Sequence, residues 1–155
     1  MDAIRQPKEF KVIFLDVDGV LNKAFDVDPM NQIEADKAQF LKQIVDRTGA
    51  KIVVSSSWKY HQFMLDILTK ELDKFGLEIY DKTPNLNGLK DRHIEILEWL
   101  KSHFKDPESE CKYVVLDDWD MTKDLGYHML TTWEPDRKAF GLDQVFVDRA
   151  CEILQ

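Results

Sequence analysis

Phe10 to Leu15 (FKVIFL) is apolar at every position but Lys11, and the run breaks off abruptly at Asp16. A short apolar run without polar alternation suits a strand covered on both faces, as in parallel sheets flanked by helices. The rest of the chain repeats this theme of a short apolar strand followed by a longer amphipathic helix. Helical spacing of Ile33, Phe40, Leu41, Ile44 and Val45 predicts a helix over 33–48, stopped by Gly49. Lys51 to Val54 reads as a second strand, and Trp58 to Phe75 as a second helix ending at Gly76. Leu77 to Tyr80 reads as a third strand and 81–88 as a loop, by its Pro, Asn and Gly. Ile94, Leu97, Leu100 and Phe104 predict a helix over about 90–104, and Pro107 to Glu110 a turn. Tyr113 to Leu116 is the fourth strand, His128 to Thr132 a weaker fifth, and Asp143 to Leu154 a closing helix. Strands alternating with helices imply right-handed crossovers, hence an α/β three-layer sandwich around a central parallel five-stranded sheet.

The 155 residues fit one domain, with 44% hydrophobic and 32% charged residues, a globular rather than a disordered composition. The formal net charge of −8 argues against broad non-specific binding to nucleic acid or to anionic membrane. Residues 1–9 lack the apolar core of a signal peptide, and no apolar run approaches the ~18 residues of a membrane span. Cys111 and Cys151 have neither metal-type spacing nor a disulfide framework. The expectation is a reduced, cytoplasmic protein without a membrane partner; nothing in the sequence sets an oligomeric state.

Ligands on such a sheet bind beyond the carboxyl ends of the strands. Polar clusters stand at those places: Asp16 and Asp18 after the first strand, Ser55–Ser57 after the second, Asp117 and Asp118 after the fourth. Alternation along a strand lets Asp16 and Asp18 project to one side. Two carboxylates so placed need a shared proton or a cation, and Gly19 permits a tight turn beside a ligand. A calcium-binding EF-hand loop is excluded, because Val20 occupies the position of the third alternating ligand. The three serines also suit a helix N-cap before Trp58, and a helix N-terminus attracts phosphate as well. The four histidines show no ligand spacing and are expected at surface or edge positions. Trp58, Trp119 and Trp133 follow strand ends, and Tyr60 lies close to Trp58; Trp119 is the candidate for a pocket rim.

The segment Asp16-Val17-Asp18-Gly19-Val20-Leu21 resembles the first motif, D-x-D-G-[VT]-L, of the haloacid dehalogenase-like (HAD) phosphatases. The resemblance covers nearly the whole chain and implies a HAD-like Rossmannoid fold. It implies Asp16 as the nucleophile that forms an aspartyl-phosphate, and Asp18 as the general acid and then base. Ser55, closing the second strand, matches the second motif and would hold a phosphate oxygen, with the Ser56 amide assisting. Val114-Val115-Leu116-Asp117-Asp118 matches the acidic motif, implying Asp118 as a direct metal ligand and Asp117 as a supporting one. With Asp16 and Asp18 these would frame Mg²⁺, a hard cation suited to oxygen ligands and phosphate. The family's basic residue, which neutralises the substrate phosphate and holds the nucleophile, falls on Arg92, with Lys90 as the alternative. Arg92, Glu95-Ile96, Trp99-Leu100 and the stretch from Thr131-Thr132 through Gly141-Leu142 are similar to small HAD domains of predicted RNA-repair proteins.

HAD enzymes of small metabolites usually carry a cap domain. One loop and one helix separate Asn22 from Ser55, and one helix, one strand and one loop separate Ser57 from Lys90. The chain therefore reads as a single capless domain over 1–155, with an open site suited to a phosphate presented by a macromolecule. A phosphotyrosyl protein ranks slightly ahead of a polynucleotide end, given the acidic charge. A non-catalytic phosphate-binding domain is the remaining alternative, against which the presence of Asp18 argues.

Overall fold

A computed structural model describes residues 10–22, 33–86, 92–133 and 141–155. In chain order the elements are β1 (Phe10–Leu15), α1 (Ala35–Thr48), β2 (Lys51–Val54), α2 (Gln62–Asp73), β3 (Ile79–Lys82) and α3 (Arg92–His103). They continue with α4 (Pro107–Glu110), β4 (Cys111–Asp117), α5 (Thr122–Leu125), β5 (Met129–Thr131) and α6 (Gln144–Leu154). All five strands are parallel, in the order β3-β2-β1-β4-β5. The expected α/β sandwich is thus the observed one.

Alternation along β1 and β4 builds the two apolar layers. Ile13, Leu15, Val114 and Leu116 pack with α1, α2 and α6, where Leu41, Leu72 and Phe146 are buried. Val12, Phe14 and Val115 face the other way, onto Ile96, Trp99 and Leu100 of α3 and Leu125 of α5. Covered on both sides, the inner strands read as continuous apolar runs. No helix among the described residues is long and apolar enough to cross a membrane.

The chain runs outward from β1 to β2 and β3, then returns to place β4 on the other side of β1. The reversal puts a crevice at the carboxyl ends of β1 and β4. Register makes it a level edge: Leu15 pairs with both Val54 and Leu116. The ladder continues one residue further, as Asp16 N–H donates to the Leu116 carbonyl and Ser55 N–H to that of Leu15, each at 2.9 Å. Asp16, Ser55 and Asp117 therefore leave three adjacent strands side by side.

Two elements differ from the pattern-based reading for identifiable reasons. The expected helix from Trp58 breaks into a single 3₁₀ turn, Ser57–Tyr60, before α2 begins. Ser56 caps that turn, its hydroxyl accepting the Trp58 N–H, and the next residue, His61, is extended. Trp58, Lys59 and Tyr60 all send polar atoms inward, which consecutive residues on an α-helix cannot do together. The third strand starts at Ile79 rather than Leu77, because Leu77 belongs to the end of α2. Its N–H donates to the Leu72 carbonyl and that of Gly76 to Asp73, both at 3.0 Å, with Gly76 at φ +73°. This is a Schellman closure, and it spends two residues that periodicity assigns to the strand.

The remaining shifts are smaller. β4 gains Cys111 and Lys112 by pairing with the whole of β1, and α5 forms where no helix was expected. The start expected for the helix near residue 90 lies outside the described residues. Both cysteines are buried and free. His61 and His103 are exposed, while the half-buried His128 stacks on Tyr113 with ring centroids 3.7 Å apart.

Candidate active site

After β1 the chain turns back on itself, the Val17 carbonyl accepting from Val20 N–H at 3.1 Å and Leu21 N–H at 2.8 Å. Gly19 makes this turn at φ +80°, and a Cβ there would meet the Asp118 side chain at 2.6 Å. The loop is held from outside as well. Thr132 Oγ1 donates to the Gly19 carbonyl at 2.7 Å, and Leu142 N–H to that of Val20 at 2.9 Å. Gly19→Ala combines a disfavoured backbone, worth about 1–2 kcal/mol, with displacement of Asp118. Thermal denaturation should show a lower Tm than wild type; an unchanged Tm would refute this close fit.

Asp16, Asp117 and Asp118 converge, each offering an oxygen within 4.8 Å of the others. Arg92, the first residue of α3, reaches into the group. Its Nη1 donates to Asp117 Oδ2 at 2.7 Å and lies 3.5 Å from Asp16 Oδ2. The other oxygen of Asp117 accepts the Trp119 N–H at 2.9 Å. Burial first, then the Asp117 charge, pushes the Asp16 carboxyl well above its ordinary value, Asp118 adding and Arg92 opposing. Burial likewise pushes Asp117 up to about 6, against the pull of Arg92 and the Trp119 amide. Burial acts to lower the Arg92 pKa, but Asp117 and Asp16 outweigh it and raise the value. One guanidinium does not offset three crowded carboxylates. An all-oxygen donor set under that repulsion fits a hard divalent cation.

Asp18 stands beside this group with its carboxylate turned elsewhere. Its Oδ2 accepts from Trp58 Nε1 at 3.2 Å and its Oδ1 from Asn22 Nδ2 at 3.1 Å. Asn22 in turn accepts the Gly19 N–H through Oδ1 at 3.0 Å. Asp18 is exposed although oriented, whereas Asp16 is buried. The structure therefore gathers Asp16, Asp117, Asp118 and Arg92 directly and sets Asp18 at their margin. Ser55 lies one strand away, and its buried hydroxyl has no hydrogen-bond partner among the described residues. An orphaned buried hydroxyl costs roughly 1–3 kcal/mol, a cost that an incoming phosphate oxygen would remove. Ser56 is also buried, its hydroxyl used by Trp58 N–H. Lys90 lies outside the described residues.

A second polar group escaped the sequence reading. Lys59 Nζ donates to Glu95 Oε1 at 2.8 Å, Thr83 Oγ1 at 2.6 Å and the Pro84 carbonyl at 3.1 Å. Glu95 also accepts from Leu86 N–H at 2.8 Å and lies 3.2 Å from the Tyr60 hydroxyl. This network ties the segment after β2 to the loop after β3 and to α3. The available signal was the three-residue spacing of Arg92 and Glu95, which puts both on one face of α3. Lys59, between two aromatic residues, gives no such signal. Of the tryptophans that follow strand ends, Trp58 is buried with its Nε1 on Asp18, whereas the rim candidate Trp119 is 42% exposed.

A parallel sheet of this order, with carboxylates at the ends of its two central strands and a basic residue heading the helix beside them, defines a HAD-like Rossmannoid domain. The sequence matches the family model described as the HAD domain in Swiss Army Knife RNA repair proteins over residues 12–140. The chain belongs to that family. No curated protein and no solved structure matches it significantly.

Proposed function

We propose that this domain is a Mg²⁺-dependent phosphomonoester phosphatase that removes the terminal phosphate from a polynucleotide end, RNA in the first place. The observation that carries the reading is the level edge at which Asp16, the orphan hydroxyl of Ser55 and the Arg92-bound acidic pair leave three adjacent strands. Asp16 attacks phosphorus, its carboxylate forming an aspartyl-phosphate as the ester oxygen leaves. Asp18, oriented by Trp58 and Asn22, protonates that oxygen and then takes a proton from the water that hydrolyses the aspartyl-phosphate. Ser55 and the Ser56 amide hold phosphate oxygens. Arg92 keeps the acidic pair in place, and Lys90 remains the alternative basic contact.

Asp16, Asp117 and Asp118 would hold the cation; Asp18, named with them as a ligand from sequence, directs its carboxylate to Trp58 and Asn22 instead. A bound Mg²⁺ supplies the neutralisation that lets a carboxylate approach a phosphate dianion.

Family membership supports the polynucleotide end over the phosphotyrosyl protein that the acidic charge favoured. The elements described between β1 and α3 belong to the sheet and its flanking helices, which supports a capless domain. The orientation of Asp18 favours turnover over phosphate binding alone, since binding needs no acid/base carboxylate.

The test is a panel of 3′- and 5′-phosphorylated oligonucleotides, phosphotyrosyl peptides and sugar phosphates, assayed with Mg²⁺, Ca²⁺ or EDTA. Turnover should vanish in EDTA, return with Mg²⁺ and remain poor with Ca²⁺, whose looser shell misplaces the nucleophile. A phosphorylated oligonucleotide should exceed the other substrates in kcat/KM by at least about tenfold, equivalent to ~1.4 kcal/mol. Full activity in chelator would refute the metal centre, and a better sugar phosphate would refute the open site.

A further inference from the structure

Trp119 follows the acidic pair directly, and its backbone N–H is fixed on Asp117 Oδ1 at 2.9 Å. Its ring lies against the Arg92 guanidinium, whose Cζ is 4.5 Å from the ring centroid. The same guanidinium is 3.5 Å from Asp16 Oδ2, so only one side chain separates the indole from the nucleophile. Yet the residue is 42% exposed. A large apolar ring anchored at its backbone and backed by a buried cation is a rigid surface that costs little entropy to use.

We propose that Trp119 is the stacking platform for the base of the phosphate-bearing terminal nucleotide; this rests on the polynucleotide-end reading above. Charge is the second part of the argument. A chain of net charge −8 gains little from the phosphates of an extended strand, the usual source of nucleic-acid affinity. Affinity for an end must then come from the terminal phosphate and from contacts that do not depend on long-range attraction. Base stacking on an aromatic ring is such a contact, and it tolerates any base because each presents a π-face. The platform thus specifies an end bearing a base without specifying sequence. The Arg92 guanidinium joins the platform to the acidic group, covering one side of the ring while its Nη1 faces Asp117 and Asp16.

The test compares a short 3′- or 5′-phosphorylated oligonucleotide with the same molecule lacking its terminal base. Dissociation constants in Mg²⁺ and kcat/KM are measured for the full wild-type chain and for Trp119→Ala and Trp119→Phe. Wild type should favour the base-bearing end by roughly 5- to 100-fold in both quantities. The ratio should fall near one in Trp119→Ala and largely persist in Trp119→Phe. Any shift of Arg92 in the variant affects both molecules alike and cancels in the ratio. Base-independent binding by wild type, or an unchanged ratio in Trp119→Ala, overturns the platform whether or not the chain turns over. Base-dependent binding without turnover upholds the platform and sinks the phosphatase reading instead. A phosphotyrosyl peptide as dependent on Trp119 as the oligonucleotide would overturn the nucleotide assignment.

Discussion

Asp16→Asn is expected to lower turnover of every phosphomonoester by on the order of 10⁴- to 10⁶-fold, as loss of a catalytic nucleophile does elsewhere. The amide keeps the shape but has no charge with which to attack phosphorus, and it withdraws one oxygen from the Asp16, Asp117, Asp118 group. Asp18→Asn should behave differently. With a poor leaving group, loss of positioned proton transfer costs roughly 10²- to 10⁴-fold. With p-nitrophenyl phosphate the leaving group needs little protonation, so Asp16 should still be phosphorylated while hydrolysis stalls. A burst of nitrophenol and a label trapped on Asp16 are the expected signs, and Asp16→Asn should show neither. Two donors, Trp58 Nε1 and Asn22 Nδ2, converge on the Asp18 carboxylate. An asparagine there has one acceptor oxygen and must set its amide against one of them. Mg²⁺ affinity of the variant therefore belongs in the experiment; it should stay within a few-fold of wild type. Near-normal turnover by Asp16→Asn, or a label on another residue, would remove Asp16 from its role.

What made this site legible is the register of the sheet. Polar residues that end apolar runs stand at the same level only if the strands are parallel and aligned, and the pairing of Leu15 with Val54 and Leu116 aligns them. Asp16, Ser55 and Asp117 could therefore be grouped without knowing one contact. The same logic fails for residues whose role depends on how a loop folds. Nothing in Trp58-Lys59-Tyr60 distinguishes the first turn of an amphipathic helix from a 3₁₀ turn with three inward anchors. Leu77 fails for a related reason: an apolar residue beside a glycine suits a Schellman closure as well as a strand start. Asp18 shows a third limit. Alternation lets it project with Asp16, but it stands in the turn after β1, where its carboxylate accepts from Asn22 and from Trp58, forty positions away.

Lys59→Met is expected to destabilise the domain by about 3–5 kcal/mol, the usual cost of stranding one charge of a buried pair. The Lys59 side chain is 0% exposed and that of Glu95 1%. Without the ammonium, the Glu95 carboxylate keeps, among the described residues, the Leu86 N–H and the Tyr60 hydroxyl as partners. Removing both charges in Lys59→Met/Glu95→Leu should cost less than the two single losses combined, because the members of one network are coupled. It should not restore wild-type stability, since Leu86 N–H then loses its acceptor, at roughly 1–3 kcal/mol. Acidity supplies an independent check. Burial lowers the Lys59 pKa from 10.5, outweighing the hydrogen bond and charge of Glu95. Between the folded value and 10.5 the unfolded chain binds more protons, so stability from this group rises with pH. Glu95→Gln removes what supports the ammonium and extends that window downward. Its deficit relative to wild type should be largest near neutral pH and shrink as pH rises toward 10.5, read from urea denaturation. Because Glu95 shares a face of α3 with Arg92 and Lys59 adjoins Trp58, kcat should fall along with stability. A Lys59→Met variant within about 1 kcal/mol of wild type, the range of an exposed ion pair, would deny the network any part in holding Arg92 and Asp18 in register.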